Sequence, residues 1–387
     1  MDARPARRRA RPERVPRRAA PRGRDRGVSR CGWGEPRIRT RRPRSRRVGS
    51  NPMRAAVVEH AGDLLSVTDV PEPEPAPGEL LIRVRACGIC GSDLHLSDVF
   101  DIPGLVLGHE ICGEVVALGP GVEGWRLGDR IAGFPLVGCE RCEACLVGAT
   151  SKCAHAAQLG LQRPGGFAEY TTLAATSAFR LPDALDDHAG ALVEPLAVAH
   201  HALDCTPRPF DEPLLVIGGG PVGAAVALWG HQLGAREVVV TDPVAHRREL
   251  AERVGATLTV DPTTEDVASA FAKHCDTLPK VVVECVGIPG MIQHAMDVAA
   301  PDAHVTVVGV CMTTDQIVPL IGLQKELAAK FVLYYRKADF AATIAALAEG
   351  RLAPHVLVTG TTGIDALPER FQALKQPTED CKVILEP

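Results

Sequence analysis

Apolar positions along the chain fall into two regimes that meet near residue 205. Before that point the runs are short and strand-like: AAVVEH (55–60), LLIRVRAC (80–87), GEVVALG (113–119) and DRIAGF (129–134). Turn residues separate them, including the proline-rich PEPEPAPGE (71–79). This punctuation predicts a small, β-rich, barrel-like domain, placed at 53–200. Beyond it, strand and helix patterns alternate. EPLLVIG (212–218) reads as a buried strand, and PVGAAVALWGHQLG (221–234) as a helix that stops at Gly234. EVVVTD (237–242), ATLTV (256–260), PKVVVECVG (279–287) and AHVTVVGV (303–310) read as strands, with AHRRELAERVG (245–255) as a polar-faced helix. KFVLYY (330–335) reads as the last strand. The alternation predicts an α/β fold, a parallel sheet with right-handed crossovers over 201–335. One amphipathic helix, DFAATIAALAEG (339–350), and short strands ending in CKVILEP (381–387) fill 336–387. That part is expected to pack back on the first domain.

Composition adds one sharp asymmetry. The 387 residues are 46% hydrophobic and carry a net charge of −4, enough apolar content for two cores. Residues 1–52, however, hold 19 arginines, no lysine and 4 acidic residues, leaving the rest of the chain near −19. That first segment lacks apolar periodicity and is expected to be a disordered extension that is not native to the protein, with Met53 as the start of the folded body. A body so acidic repels polyanions, so nucleic acid is not expected as a partner. The longest uncharged run, LLVIGGGPVGAAVALWGHQLGA (214–235), is broken by glycines and Pro221, so no membrane span is expected. Without a signal or span, the expected compartment is the cytoplasm, where the 13 cysteines are free thiols or metal ligands.

Three constellations carry candidate chemistry. GGGPVG (218–223) fits a dinucleotide fingerprint through Gly218, Gly220 and Gly223, with Pro221 and Val222 between them. It directly follows a strand and opens a helix, where glycine lets the backbone approach a pyrophosphate. Asp242 closes the next strand, 19 residues past Gly223, where a carboxylate takes the adenosine ribose hydroxyls and repels a 2′-phosphate. NAD is therefore expected over NADP, although Arg247 and Arg248 lie close by. CGICGSDLH (87–95), GHEICGEVVALG (108–119) and ALVEPLAVAHHAL (191–203) offer Cys90, His109 with Glu110, and Glu194. Cysteine, histidine and glutamate plus water form a set for catalytic zinc, which keeps one position open. Cys87 and Cys112 are expected to be core thiols, and His200 and His201 packing or surface residues. Finally, Cys139, Cys142, Cys145 and Cys153 follow a C-x2-C-x2-C-x7-C spacing within 138–153.

In this order, the GICGSD-x-H segment, the GHE-x-x-G segment, the four-cysteine lobe, the EPL segment and the glycine motif resemble the medium-chain, zinc-dependent alcohol and polyol dehydrogenases. The resemblance spans residues 53–387 and is closest to the sorbitol, butanediol and threonine dehydrogenase branch, which has glutamate at the position of Glu194. It implies a GroES-like catalytic domain, a Rossmann-like cofactor domain and two zinc ions per chain. Cys90 and His109 are then direct ligands of catalytic zinc, with Glu110 or Glu194 as the carboxylate and Asp93 orienting the imidazole. The four cysteines are the structural-zinc lobe, a closed tetrahedron that cannot bind substrate. The implied reaction is oxidation of a secondary alcohol to a ketone with hydride transfer to NAD, the proton leaving through Ser92 and His95. The implied partners are small alcohol and ketone substrates and further copies of the chain, as homodimer or homotetramer. Two departures stand out: the arginine-rich start, and a short stretch at 96–107, which leaves Phe100 and Phe134 as pocket-lining or packing residues. Two other readings remain. One is a nucleic-acid-binding zinc protein that uses the arginine-rich arm, against which stand the acidic body and the cysteine spacing. The other is a metal-free quinone-reductase relative, opposed by the joint presence of Cys90, His109 and Glu194.

Overall fold

The structure, a computed structural model, describes residues 51–206, 211–376 and 378–387. The arginine-rich segment, apart from its last two residues, lies outside the described residues, and so does the expectation of disorder there. The first strand, β1 (Pro52–Val58), pairs antiparallel with β2 (Ser66–Pro71). β3 (Glu79–Gly88) runs directly into α1 (Gly91–Val99), with Cys90 as the N-cap. GSDLHLSDV has almost no apolar periodicity, so its helix is not legible from hydropathy. Its start is set instead by Asp93, whose Oδ2 accepts the Cys90 backbone N–H at 3.0 Å. β4 (Leu105–Val106) joins β1. β5 (Glu110–Leu118) pairs with β3, and β6 (Arg130–Gly133) pairs with β5. β7 (Leu136–Val137) and β8 (Ala157–Gln158) form a ribbon at the two ends of the cysteine-rich loop, which carries the single turn α2 (Glu143–Leu146). β9 (Tyr170–Ala174) pairs with β3, and β10 (Ala178–Arg180) with β6.

α3 (Asp187–Asp204) joins the two halves of the molecule. Asp186 caps it by accepting the Ala189 N–H at 2.8 Å. Leu192, Leu196 and Ala199 share one core with Ala86 and Cys112 of the first sheet and with Val216, Ala224 and Trp229 of the second. A helix wrapped on both sides carries apolar residues around most of its circumference, as 191–203 does. The Trp229 indole N–H also donates to Leu196 O at 2.9 Å.

The second half is β11 (Leu214–Ile217), α4 (Pro221–Gln232), β12 (Val238–Thr241), α5 (Ala245–Arg253), β13 (Leu258–Val260), α6 (Val267–Cys275), β14 (Val281–Glu284), α7 (Met291–Val298), β15 (His304–Val307), α8 (Pro319–Lys325) and β16 (Ala328–Phe331). Its six strands are all parallel, in the order β13-β12-β11-β14-β15-β16. That is a doubly wound sheet, with its switch point between β11 and β14. Alternation along β11 serves both faces. Leu214 and Val216 enter the core shared with α3 and α4, while Leu215 and Ile217 enter the core under α6 and α7.

KFVLYY is only partly strand. β16 ends at Phe331, and Tyr334 and Tyr335 leave the sheet. α9 (Lys337–Ala348), β17 (Val358–Gly363), α10 (Leu367–Ala373) and β18 (Lys382–Glu386) follow. β18 pairs antiparallel with β3 and parallel with β17, which sets Lys382 into the first sheet, order β10-β6-β5-β3-β18-β17. The described residues belong to one compact unit, Val48–Pro387. Among them no helix is long and apolar enough to cross a membrane.

Candidate active site

The end of β3 and the start of β5 face each other, with Gly88 paired to Glu110. This register brings Cys90, His109 and Glu110 together, one ligand atom from each lying within 4.8 Å of the others. Asp93, fully buried, fixes the group. Its Oδ1 lies 3.1 Å from His109 Nδ1 and accepts the Gly108 N–H at 3.3 Å. An imidazole held through Nδ1 presents Nε2 as its donor to a metal. Burial opposes a charge on His109, but Asp93 and the Cys90 sulfur outweigh it and raise the imidazole well above its usual range. Ser92 Oγ donates to Cys90 Sγ at 3.2 Å, and His95 is exposed one turn further along α1.

Glu110 is the least expected member of the group. Its Oε1 accepts from Lys382 Nζ at 2.6 Å, and its Oε2 is buried without a protein partner. A Cβ at Gly88 would collide with that oxygen, so glycine keeps the space beside it open. A thiolate, an imidazole and an orphaned carboxylate oxygen converging on one point fit a borderline cation such as zinc.

Glu194 is buried on α3 but stands outside the three-residue group. Its Oε1 accepts from Tyr335 Oη at 2.7 Å. Burial pushes its carboxyl up to about 7, with Glu110 adding and His109 opposing. In the cation-free protein the folded state then keeps a proton that the unfolded chain has lost between about pH 4.5 and 7. The folded state binds more protons there, so the contribution of Glu194 to stability falls as pH rises through that window, by on the order of 3 kcal/mol. Urea unfolding of chelator-treated protein at pH 5 and 7.5 measures the difference. Glu194→Gln is expected to remove most of it, leaving the share of His109, whose raised imidazole acts in the same direction.

Cys139, Cys142, Cys145 and Cys153 place their four sulfurs within 4.8 Å of one another. Backbone N–H groups of Arg141 and Cys142 hold the Cys139 thiol low, and those around Cys153 act the same way. Burial pushes the Cys145 thiol the other way, up to about 12, and four cysteine sulfurs this close fit a closed tetrahedral zinc site. The lobe is tied to α9 by the Lys337 N–H, which donates to Gly148 O at 3.0 Å, and by Lys337 Nζ, 3.3 Å from Glu140. Cys145→Ser is expected to remove one metal per chain by elemental analysis and to lower Tm by ~5 °C or more, because binding at such a site is folding free energy.

At the switch point, Gly218 has φ +99° and a Cβ at Gly223 would strike Gly218 O, so both positions demand glycine. Gly220 caps α4, Pro221 takes its first turn and Val222 follows. Asp242 follows β12, but in this structure its carboxylate serves the loop. It accepts the Gly219 N–H at 2.9 Å and the Val244 N–H at 2.8 Å, with Arg247 Nη1 at 3.5 Å.

Other residues resolve differently. Phe134 is fully buried, edge-on to Tyr335 at 5.4 Å and to Phe340 at 5.6 Å, a packing position; Phe100 caps the end of α1. Cys87 and Cys112 are buried thiols. His200 and His201 each set Nδ1 2.8 Å from one oxygen of Asp339, which caps α9. Sequence reasoning missed Lys382, Tyr335 and Asp339. A lysine inside the apolar run CKVILEP was the one visible signal.

This combination of folds and sites defines an oxidoreductase of the zinc-binding, nicotinamide-dependent class. Residues 76–183 match the alcohol dehydrogenase GroES-like domain, and residues 221–349 match the zinc-binding dehydrogenase family. The chain belongs to the medium-chain, zinc-dependent alcohol dehydrogenase family. It is 32% identical over 330 residues to an L-threonine 3-dehydrogenase of Klebsiella pneumoniae, covering 82% of this chain and 95% of that protein. A zinc-binding dehydrogenase from Sinorhizobium meliloti bound to NADP superimposes with a TM-score of 0.81 at 32% identity, over 87% of this chain and 100% of that one. The 2R,3R-butanediol dehydrogenase of Bacillus subtilis does so with a TM-score of 0.80 at 31% identity, over 87% and 99%. The fold is thus GroES-like plus Rossmann-like, and the protein is a zinc-containing, NAD(P)-dependent dehydrogenase.

Proposed function

We propose that the protein reversibly oxidises a secondary alcohol of a small polyol or vicinal diol to the ketone, with NAD as hydride acceptor and two zinc ions per chain. The observation that carries this reading is the convergence of Cys90, His109 and Glu110 within 4.8 Å, in one compact unit with a doubly wound sheet. When bound, zinc supplies a Lewis acid for the alcohol oxygen and the nicotinamide an acceptor for hydride. The chain's own residues do the rest. Cys90, His109 and Glu110 hold the cation, Asp93 fixes the imidazole through Nδ1, and Glu194 completes the wall of the site. Ser92 takes the substrate proton, and His95, three residues on along the same face of α1, hands it to solvent. Asp242 disfavours a 2′-phosphate, which supports NAD.

L-threonine is the second reading, favoured by the Klebsiella relative. A panel of 2,3-butanediol, sorbitol and L-threonine, with NAD and NADP compared by absorbance of the reduced cofactor, decides between them. No reduction with any alcohol, by zinc-loaded protein, sinks the proposal.

The thiol-rich chain suits a reducing cytoplasm. All four residues of β16 are exposed, with Phe331, Leu333, Leu320 and Leu323 presenting apolar surface on and near that edge. An open apolar edge supports pairing with a second copy of the chain. Light scattering of a Phe331→Lys variant is expected to show a smaller assembly than the wild type.

A further inference from the structure

The C-terminal end of α3 holds a nucleophile, a base and an orienting acid that the reaction above does not use. His201 lies in the last turn of the helix and Cys205 caps it, four residues on, so the two side chains share one face. Cys205 Sγ is 3.5 Å from His201 Nε2, and His201 Nδ1 is 2.8 Å from Asp339 Oδ2. Asp339 is engaged on both oxygens. Oδ2 also accepts the Arg336 N–H at 2.7 Å, and Oδ1 faces His200 Nδ1 at 2.8 Å. His200 in turn packs edge-on against the buried Trp229, with ring centroids 4.7 Å apart. Burial opposes the charge on Asp339, but the bonds from His200 and His201 outweigh it and hold the carboxyl well below its usual range. An ionised carboxylate only accepts, so His201 Nδ1 carries the proton and Nε2 is a bare acceptor facing the thiol.

We infer that Cys205 is a covalent modification site, where His201 activates the thiol for exchange with small disulfides. A thiol bonded to an imidazole, itself oriented by a carboxylate, is the arrangement that makes sulfur a nucleophile. Cys205 is partly exposed, and it lies outside both metal groups. Other partly exposed thiols lack such a base. Cys311 donates its S–H to Thr313 O at 3.4 Å, and burial pushes the thiol of Cys285 well up and that of Cys381 to about 11. The negative end of the α3 dipole disfavours a standing thiolate and favours an imidazolium, so the proton moves at the moment of attack. In that step Nε2 takes the thiol proton and the Cys205 sulfur bonds to one sulfur of the disulfide. The S–S bond of the small molecule breaks, and its electron pair leaves on the second sulfur, which takes the proton from Nε2. The chain gains a mixed disulfide, Cys205 is oxidised, and one small thiol is released.

The test incubates the zinc-loaded, full-length protein with 4,4′-dithiodipyridine, quenches it with acid at timed intervals, and follows each cysteine by peptide mass spectrometry. Cys205 is expected to gain the thiopyridyl group about tenfold faster than Cys311, which is also partly exposed but has no base. Dithiothreitol is expected to remove the group. In His201→Gln the Cys205 rate is expected to fall about tenfold while the Cys311 rate stays in place. A loss of packing would act differently, by speeding every thiol, the buried Cys112 included. Labelling of Cys205 no faster than that of Cys311 in the wild type, or at the wild-type rate in folded His201→Gln, overturns the inference. If His201→Gln unfolds and exposes Cys112, the comparison within the wild type decides alone. None of these outcomes bears on the dehydrogenase reading, which rests on other residues.

Discussion

Replacing His109 with alanine is expected to cut kcat/KM by about a thousandfold or more. The size follows from what the imidazole does. It is one of three groups whose ligand atoms meet within 4.8 Å, and a cation held there would be worth several kcal/mol in the transition state. The fold is expected to survive, because Asp93 keeps its other two donors, the backbone N–H groups of Cys90 and Gly108. Cys90→Ser is expected to act in the same direction, since a hydroxyl is a far poorer zinc ligand than a thiolate. The diagnostic result is their combination. Ligands of one ion act as a unit, so the double variant is expected to be little worse than either single one. Elemental analysis and turnover of the three variants give the answer together. If His109→Ala keeps activity within tenfold of wild type and retains its full metal content, the triad is not the catalytic centre.

How much of this site could be read from the chain depends on how local its signals are. The glycine motif is local. The run of four buried residues in β11, the turn at Gly218 and the helix from Pro221 lie within 20 residues, and each constrains the next. Cys90 and His109 are nearly as local, because β3 and β5 pair with each other and carry them to one end of the sheet. Tyr335 is different. Nothing in FVLYY distinguishes Phe331, which pairs in the sheet, from the residues that leave it, since all are apolar or aromatic. The strand stops at Phe331 because Tyr335 is buried instead against Phe134 and Phe340, with its hydroxyl on Glu194, 141 residues away in sequence. Asp339 meets His201 across 138 residues in the same way. Hydropathy reports that a side chain is buried, not against what. Phe331, exposed on the edge strand, and Tyr335, buried against Phe134, therefore sit in one unbroken apolar run.

Lys382 is the extreme case of a distant partner, and its removal has the second largest expected effect. The ammonium and the Glu110 carboxylate are both almost fully buried, 2.6 Å apart and 272 residues apart in sequence. Burial alone would lower the lysine pKa, but the charge of Glu110 outweighs it and raises it instead. Lys382→Met keeps the volume and removes the charge, leaving one carboxylate oxygen without its donor beside another that already has none. An uncompensated buried charge of this kind costs about 3–5 kcal/mol. Zinc changes the sum, because a cation held by Cys90, His109 and Glu110 supplies the missing positive charge to the folded state only. Urea unfolding of Lys382→Met in chelator is therefore expected to show the full loss, and saturating zinc is expected to return a large part of it. Adding Glu110→Gln to Lys382→Met removes the orphaned charge altogether, so the double variant is expected to be more stable in chelator than Lys382→Met alone. If Lys382→Met unfolds within 1 kcal/mol of wild type in chelator, the lysine does not offset the charge of Glu110, and that carboxylate is held by something other than this pair.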